Sequence, residues 1–397
     1  MLRPMSIDRA TPLHSRVRGF GVTIFTEMTR LALEHRAVNL AQGFPDFPGP
    51  DFVKDAAVAA IRDDRNQYAR MAGELVLVEA IARDLSQRHG LTYDPMTEVC
   101  VTSGATEAIH DALLALCGPG DQVLMLDPSY DSYRACCLLA GAEPRTIPLR
   151  APEFTWDEAE VRAAFTAKTR VLLLNSPHNP TGRALSREEL ELLAQLCVEH
   201  DVVCVADEVY DRLVYEGAHI PIATWPRMRE RTLTLNSSAK TFSLTGWKIG
   251  WASGPAELVR GLASVHQFVT FAVATPLQHA IAQALGAPQT YFDGLRADYL
   301  ARRDLLTSAL AAVGFRVQPP EGAYFVMADI APLTDEDDVA FCRRLVTEIG
   351  VAVVPATALY ADPATGARLG RKLVRFAFCK RLETLRAAIE RLGKLRR

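Results

Sequence analysis

At 397 residues with 49% hydrophobic content, the chain has enough apolar mass to bury one large core or two. A formal net charge of −3 provides neither the basic footprint that nucleic acid demands nor a strong field of either sign. Eight cysteines without a CxxC pair fit small core residues of a reducing, cytoplasmic setting, the nine histidines show no metal-ligand spacing, and no apolar run approaches a membrane span.

Residues 1–22 carry arginines without a hydrophobic stretch and read as a frayed terminus that docks on the fold, with a basic targeting leader as the alternative. Phe25, Met28, Leu31 and Ala32 have helical spacing and predict a helix over 25–33. The glycine and prolines of 39–48 then predict an ordered turn-rich segment. From 51 the pattern is helix, loop, helix, with Asn66-Gln67-Tyr68 in the loop.

A regular alternation begins at 99–102, a strand that runs into Ser103-Gly104-Ala105-Thr106 and a helix faced by Ile109, Leu113 and Leu116. Strand, glycine turn and helix N-terminus offer free backbone N–H groups to a phosphate, although glycine in such turns also serves packing alone. Further short apolar runs at 122–126, 171–175, 202–206 and 232–235, separated by helical segments such as 188–200, predict a mostly parallel sheet covered on both faces. Polar residues follow each run: Asp127 to Tyr130, Asn175 to Gly182, Asp207 to Tyr210, and Asn236 onward. Clusters at the carboxyl ends of parallel strands converge on one crevice.

The last cluster holds two lysines. Lys240 follows Ser237, Ser238 and Ala239 at the end of its strand, where an amine can form a Schiff base with a carbonyl. Lys248, between Trp247 and the next apolar segment, reads as a fixed positive charge. Alone, either lysine would read as a surface residue. An aldehyde cofactor with a pyridine ring and a phosphate needs a lysine, a carboxylate for the ring nitrogen, donors for the ring oxygen, a flat partner and a phosphate cradle. Lys240, Asp207, Asn179 with Tyr210, Tyr130 and the Gly104 turn supply these five. Asp207 is preferred over Glu208 because neighbouring strand residues face opposite sides, and its bland alternative is a helix cap.

These stretches resemble those of the fold-type I, pyridoxal-phosphate-dependent aminotransferases of class I/II, nearest the branch of methionine, kynurenine and other aromatic aminotransferases. The matching motifs are NLAQGFPDF (39–47), NQY (66–68), TSGATEA (102–108), PHNPTG (177–182), DEVY (207–210), SSAKTFSLTGWKIGW (237–251), TPLQ (275–278), EGAYF (321–325) and RFAF (375–378). The resemblance implies pyridoxal 5′-phosphate held as a Schiff base by Lys240. It further implies a phosphate cradle of Gly104, Ala105, Thr106, Ser237 and Lys248, Tyr130 stacked on the ring, Asp207 at its nitrogen, and Asn179 and Tyr210 at its oxygen. Arg375 and Gly43 would take the substrate α-carboxylate, and Tyr68 would reach the phosphate of a neighbouring subunit in a homodimer. Two departures stand out: Leu77-Val78-Glu79 lacks an arginine usual in relatives, and Pro355-Ala356-Thr357 replaces a usual proline-glycine-serine near the expected substrate mouth.

The implied reaction is reversible, ping-pong transamination between an amino acid and a 2-oxo acid, with Lys240 as base and acid. Residues 264–278 contain no lysine or arginine but carry Phe268 and Phe271. With Phe25 and Phe44 they predict a hydrophobic pocket for methionine, aromatic or other medium-sized amino acids. A carbon-sulfur β-lyase on cysteine conjugates, an N-succinyldiaminopimelate aminotransferase and a ligand-sensing regulator are the alternatives. Fold class is expected to be α/β, with a large cofactor domain over 48–287. A smaller α+β domain combines 1–47 with 288–397: a helix over 291–310, strands at 315–317 and 324–328, a helix over 339–349, the Arg375 strand and a basic final helix whose charges over 381–397 form a solvated face.

Overall fold

A computed structural model describes residues 13–396. Of the 1–22 terminus only 13–22 are described, including a short helix at Ser15–Arg18, so the docking and leader readings of the remainder lie outside the described residues. In chain order the strands are β1 (Val38–Asn39), β2 (Val99–Ser103), β3 (Gln122–Asp127), β4 (Glu143–Pro148), β5 (Thr169–Asn175), β6 (Val203–Asp207), β7 (Thr232–Ser237), β8 (Ile249–Ser253), β9 (Arg316–Val317), β10 (Phe325–Asp329), β11 (Val351–Ala352), β12 (Val354–Pro355) and β13 (Leu373–Ala377).

Seven strands form one sheet in the order β2-β8-β7-β6-β5-β3-β4. All run parallel except β8, which pairs antiparallel with both β2 and β7. The continuous apolar runs follow from burial on both faces. Leu124, Leu126, Leu172 and Leu174 join a core under the Arg187–Glu199 helix, while Val123, Met125, Val171 and Leu173 face the opposite core with the Gly104–Leu116 and Ala256–Val269 helices. Strand β4 has no counterpart among the expected strands: Pro144 and Pro148 argue against a strand, yet both are tolerated because β4 is the sheet edge and needs only one hydrogen-bonded neighbour.

A second sheet, β12-β13-β10-β9, is antiparallel. It packs with the Gln289–Val313 and Leu382–Leu392 helices around Phe376, Phe378, Leu306 and Leu385. Leu385, Ala388 and Leu392 are the buried stripe of the final helix. The chain between β1 and residue 41 belongs with this body: β1 pairs parallel with β11, and Ala377 N donates to Leu40 O at 2.8 Å. The expected helix over 339–349 is helical throughout, but changes at Leu345 from the Asp338–Arg344 α-helix to a π-helical turn. Among the described residues, no helix is long and apolar enough to cross a membrane. All eight cysteines are free.

Candidate active site

The carboxyl ends of β2, β5, β6 and β7 meet the second sheet and the 41–44 segment around a cavity of about 420 Å³. Of the residues singled out in the sequence, Phe25, Gly43, Gly104, Ala105, Thr106, Tyr130, Asn179, Asp207, Tyr210, Ser237, Lys240, Lys248 and Arg375 all line it.

One end of the cavity is built for an anion. Strand β2 turns at Gly104, with φ +76°, into the Gly104–Leu116 helix, whose first amides have no intrahelical acceptor. A Cβ on Gly104 would sit 3.0 Å from Lys248 Nζ, so glycine lets the ammonium approach the turn. Lys248 itself adopts φ +55°, which turns its chain back toward β2. Gly250 on β8 was not singled out, although a Cβ there would meet Ala105 N at 2.6 Å; only glycine lets this strand pass under the helix start. Ser237 caps the short Ser238–Thr241 helix by accepting from Ala239 N at 3.1 Å, and its hydroxyl donates to Ile249 O at 3.2 Å. A contact from this hydroxyl to an anion therefore requires its rotation.

At the opposite end of the same wall, Asp207 closes β6. Its side chain lines the cavity, whereas Glu208 pairs with His219 at 2.9 Å on the other side. Asp207 Oδ2 accepts a 2.5 Å hydrogen bond from Tyr133, and Oδ1 has only the Val209 amide at 3.4 Å. With no ion-pair partner among the described residues, burial dominates and raises its carboxyl to about 6, against the hydrogen bonds and the attraction of Lys240. Tyr133 is another residue that sequence reasoning missed. It lies three positions after Tyr130 in the Asp131–Ala140 helix segment and packs edge-on against that ring at 5.6 Å.

Lys240 Nζ projects between the rings of Tyr210 and Tyr324, 5.9 and 5.8 Å from their centroids. Burial, followed by repulsion from Lys248 and Arg375, holds its ammonium below the usual lysine range despite the pull of Asp207. That favours a neutral amine, the form that attacks carbonyls and accepts protons.

Arg375 enters from β13 and is 1% exposed. It donates to Asn179 Oδ1 and to Ala41 O, both at 2.9 Å, and its guanidinium lies 4.2 Å from the Phe325 ring and 5.0 Å from that of Phe25. These partners are neutral, and its Nε has none. Burial lowers its pKa to about 10, so it remains a cation near neutrality. Asn179 N donates to Asn175 Oδ1 at 2.7 Å, and Asn175 Nδ2 to Asp207 O at 2.8 Å, so a chain of hydrogen bonds links the guanidinium to the strand end bearing Asp207. Gly43 O accepts from Tyr324, and a Cβ on Gly43 would collide with Phe325 at 2.7 Å.

Three features singled out in the sequence lie away from the cavity of this single chain. Tyr68, expected at the phosphate of a neighbouring subunit, lies outside this chain's own cavity, is 86% exposed and meets Phe271 edge-on at 5.3 Å. Phe268 and Phe271 are exposed and do not line the cavity either: Phe268 sits on the outer face of the Ala256–Val269 helix, and Phe271 follows that helix in a bend with φ +70°. The Pro355-Ala356-Thr357 turn is likewise absent from the cavity wall, since Thr357 is tied to Asp338 by hydrogen bonds from its backbone N–H and its hydroxyl, both at 2.8 Å.

The wall thus combines an anion cradle, a buried carboxylate lacking a cation, a buried guanidinium with neutral partners and a lysine of lowered basicity. This donor set fits a phosphorylated aldehyde with a basic ring nitrogen, together with a substrate carboxylate. A family model described as aminotransferase class I and II matches residues 35–392. The probable N-succinyldiaminopimelate aminotransferase DapC of Mycobacterium tuberculosis is 45% identical over 390 residues, spanning 96% of this chain and 98% of that protein. The methionine aminotransferase of Escherichia coli is 38% identical over 382 residues, with 96% and 98% covered. The solved structure of N-succinyldiaminopimelate aminotransferase from Mycobacterium tuberculosis superposes with a TM-score of 0.93 at 44% identity, covering 96% of this chain and all of that one.

Proposed function

The chain belongs to the class I and II aminotransferases; from that premise we propose that it holds pyridoxal 5′-phosphate beside Lys240 and moves the amino group of a hydrophobic, sulfur-containing or aromatic L-amino acid to a 2-oxo acid by a ping-pong mechanism. The substrate class rests on the charges of the cavity. Among its described lining residues Lys240, Lys248 and Arg375 are the only lysines and arginines, and each has a task. No cation is left for a distal carboxylate, while Phe25, Phe44, Ile109 and Phe325 supply apolar surface.

When bound, pyridoxal phosphate supplies a carbonyl carbon that exchanges the amino group and a protonated ring that takes up the electron pair freed at the substrate Cα. Gly104, Ala105, Thr106, Ser237 and Lys248 receive the phosphate. Asp207 keeps the ring nitrogen protonated, Asn179 and Tyr210 hold the ring oxygen, and Tyr130 covers the ring face. Lys240 Nζ takes the proton from Cα as a base and returns it as an acid. Arg375, with the Gly43 backbone, grips the α-carboxylate, a planar partner for a planar guanidinium.

We also place residues 48–287 in a cofactor domain, with 1–47 and 288–397 in a smaller domain that closes over substrate. The exposed Tyr68, Phe268 and Phe271 support a homodimer in which Tyr68 reaches the neighbouring phosphate. The free cysteines suit a cytoplasmic protein.

The 45% identity to the probable DapC favours a second reading, N-succinyldiaminopimelate as amino donor. Thr23, Gln42 and Asp131 form the polar part of the lining that such a long tail would have to use. Comparing kcat/KM for methionine, phenylalanine, aspartate and N-succinyldiaminopimelate, with 2-oxoglutarate as acceptor, separates these readings. Methionine or phenylalanine above aspartate is the expected order. Aspartate turned over far better overturns the hydrophobic pocket, and N-succinyldiaminopimelate far above methionine selects the second reading.

A further inference from the structure

Behind the anion cradle lies a buried group that the functions above leave unused. Ser103, at the start of the Gly104–Leu116 helix, makes no side-chain cap. Instead Glu107 reaches back, and its Oε2 accepts from Ser103 N. Its Oε1 accepts from the Thr270 hydroxyl and faces His266 Nδ1 at 3.0 Å. His266 is fully buried, and its Nε2 faces Met71 O at 3.2 Å. A carbonyl only accepts, so Nε2 is the donor to Met71 O, and Nδ1 is left to face the Glu107 carboxyl. Both ring nitrogens are thereby committed, which makes Glu107 and His266 a hydrogen-bonding hub, while the neighbouring Asp111 pairs with His110 at 2.9 Å. Burial acts against ionisation of Glu107, but the bonds from His266, Thr270 and Ser103 outweigh it and hold the carboxyl below its usual range.

The hub joins three segments. Ser103 ends β2 and immediately precedes Gly104 of the cradle. Thr270 ends the helix that precedes Phe271, and Phe271 packs on Tyr68. Met71 lies in the segment bearing Tyr68, which is also fixed by Val101 N donating to Ala72 O at 3.0 Å and by Thr275 donating to Gln67 O at 2.5 Å. A carboxylate one turn from an anion site would weaken that site by like-charge repulsion if left alone. The hydrogen bonds from Ser103 and Thr270 and the contact with His266 engage both carboxylate oxygens and turn that charge inward.

We propose that Glu107, paired with His266, is a positioning residue for phosphate: it fixes the Ser103–Gly104 turn so that the first helix amides and Lys248 converge on the anion, and it ties that turn to the Tyr68 segment. The inference rests on the cofactor reading above. A glutamine at 107 has one acceptor oxygen in place of two, so toward either Ser103 or the Thr270–His266 side it must present a donor where the carboxylate accepts, and it carries no charge.

The test titrates full-length protein, stripped of cofactor, with pyridoxal phosphate and separately with pyridoxal, which lacks the phosphate, following intrinsic fluorescence. For Glu107→Gln, affinity for pyridoxal phosphate is expected to fall about tenfold or more, while affinity for pyridoxal stays within about twofold of wild type. Equal losses for both ligands, or no loss for either, overturn the proposal. Should Glu107→Gln fail to fold, Thr270→Val removes one donor to the same carboxylate. It is expected to weaken pyridoxal phosphate alone by about two- to threefold, and an unchanged ratio of the two affinities then overturns the proposal. Wild-type protein that binds no pyridoxal phosphate sinks the cofactor reading itself, a result distinct from a failure at Glu107.

Discussion

Asp207 and Asp211 are both buried and lie four residues apart, yet their acidities move in opposite directions. Asp211 meets Arg88 at 2.7 Å, Arg88 also meets Asp84 at 3.2 Å, and Arg212 pairs with Asp84 in turn. Burial opposes ionisation of Asp211, but Arg88 and the other nearby cations hold its carboxyl down at about 2. Asp207 has a phenol where Asp211 has a guanidinium, and burial carries it up to about 6. Arg375 repeats the pattern with the sign reversed, its hydrogen-bond partners being an amide oxygen and a carbonyl. Charges compensated within the chain serve the fold; buried charges left with neutral partners are poised for charges on a ligand.

This contrast can be broken by substitution. Asp207→Asn is expected to lower kcat by about 10²–10³-fold and to weaken pyridoxal phosphate binding, while the melting temperature of the cofactor-free protein stays the same or rises. Arg88→Met should do the reverse, costing about 3 kcal/mol in urea unfolding because Asp211 loses its counter-charge, with kcat near wild type in the folded protein. Arg375→Lys keeps the charge but loses the planar fork, so kcat/KM should fall about 10- to 100-fold through a raised amino-acid KM, with cofactor affinity unchanged.

A pH titration sharpens the same comparison. Asp207 is raised to about 6 in the cofactor-free protein, so its carboxylate is available above that pH and lost below it. Affinity for pyridoxal phosphate should decline about tenfold per pH unit below 6, a break absent from Asp207→Asn. Asp211, held at about 2, contributes no break in this range. The smallest expected effect is that of Tyr133→Phe, a loss of about three- to tenfold in kcat, because Asp207 keeps its place but loses its donor.

Strands β3, β5 and β6 were legible because burial on both faces leaves largely continuous apolar runs, β7 because its leucines alternate with threonines, and the cavity wall because polar residues follow those runs directly. Strand β4 was hidden by prolines that only an edge tolerates. The partners of the site residues were not legible. Tyr133 meets Asp207 across 74 positions and Arg375 meets Asn179 across 196, and neither contact leaves a local pattern. Gly250 showed only as a glycine in a strand, a mark of close backbone approach that says nothing of what approaches. Phe268 and Phe271 were assigned to the pocket from the absence of nearby cations, yet the exposure of Phe268 follows from its helix phase and that of Phe271 from the bend after the helix, neither of which composition sets.

The central claim is that Lys240 makes this cavity a transamination site, and the absorbance spectrum of the purified protein with pyridoxal phosphate tests it most directly, beside Lys240→Ala. The account predicts a visible band that methionine converts to a near-ultraviolet band and that a 2-oxo acid restores, with the cycle lost in the variant. A protein that stays colourless with added pyridoxal phosphate, or a Lys240→Ala variant that completes the same cycle at the wild-type rate, would contradict it.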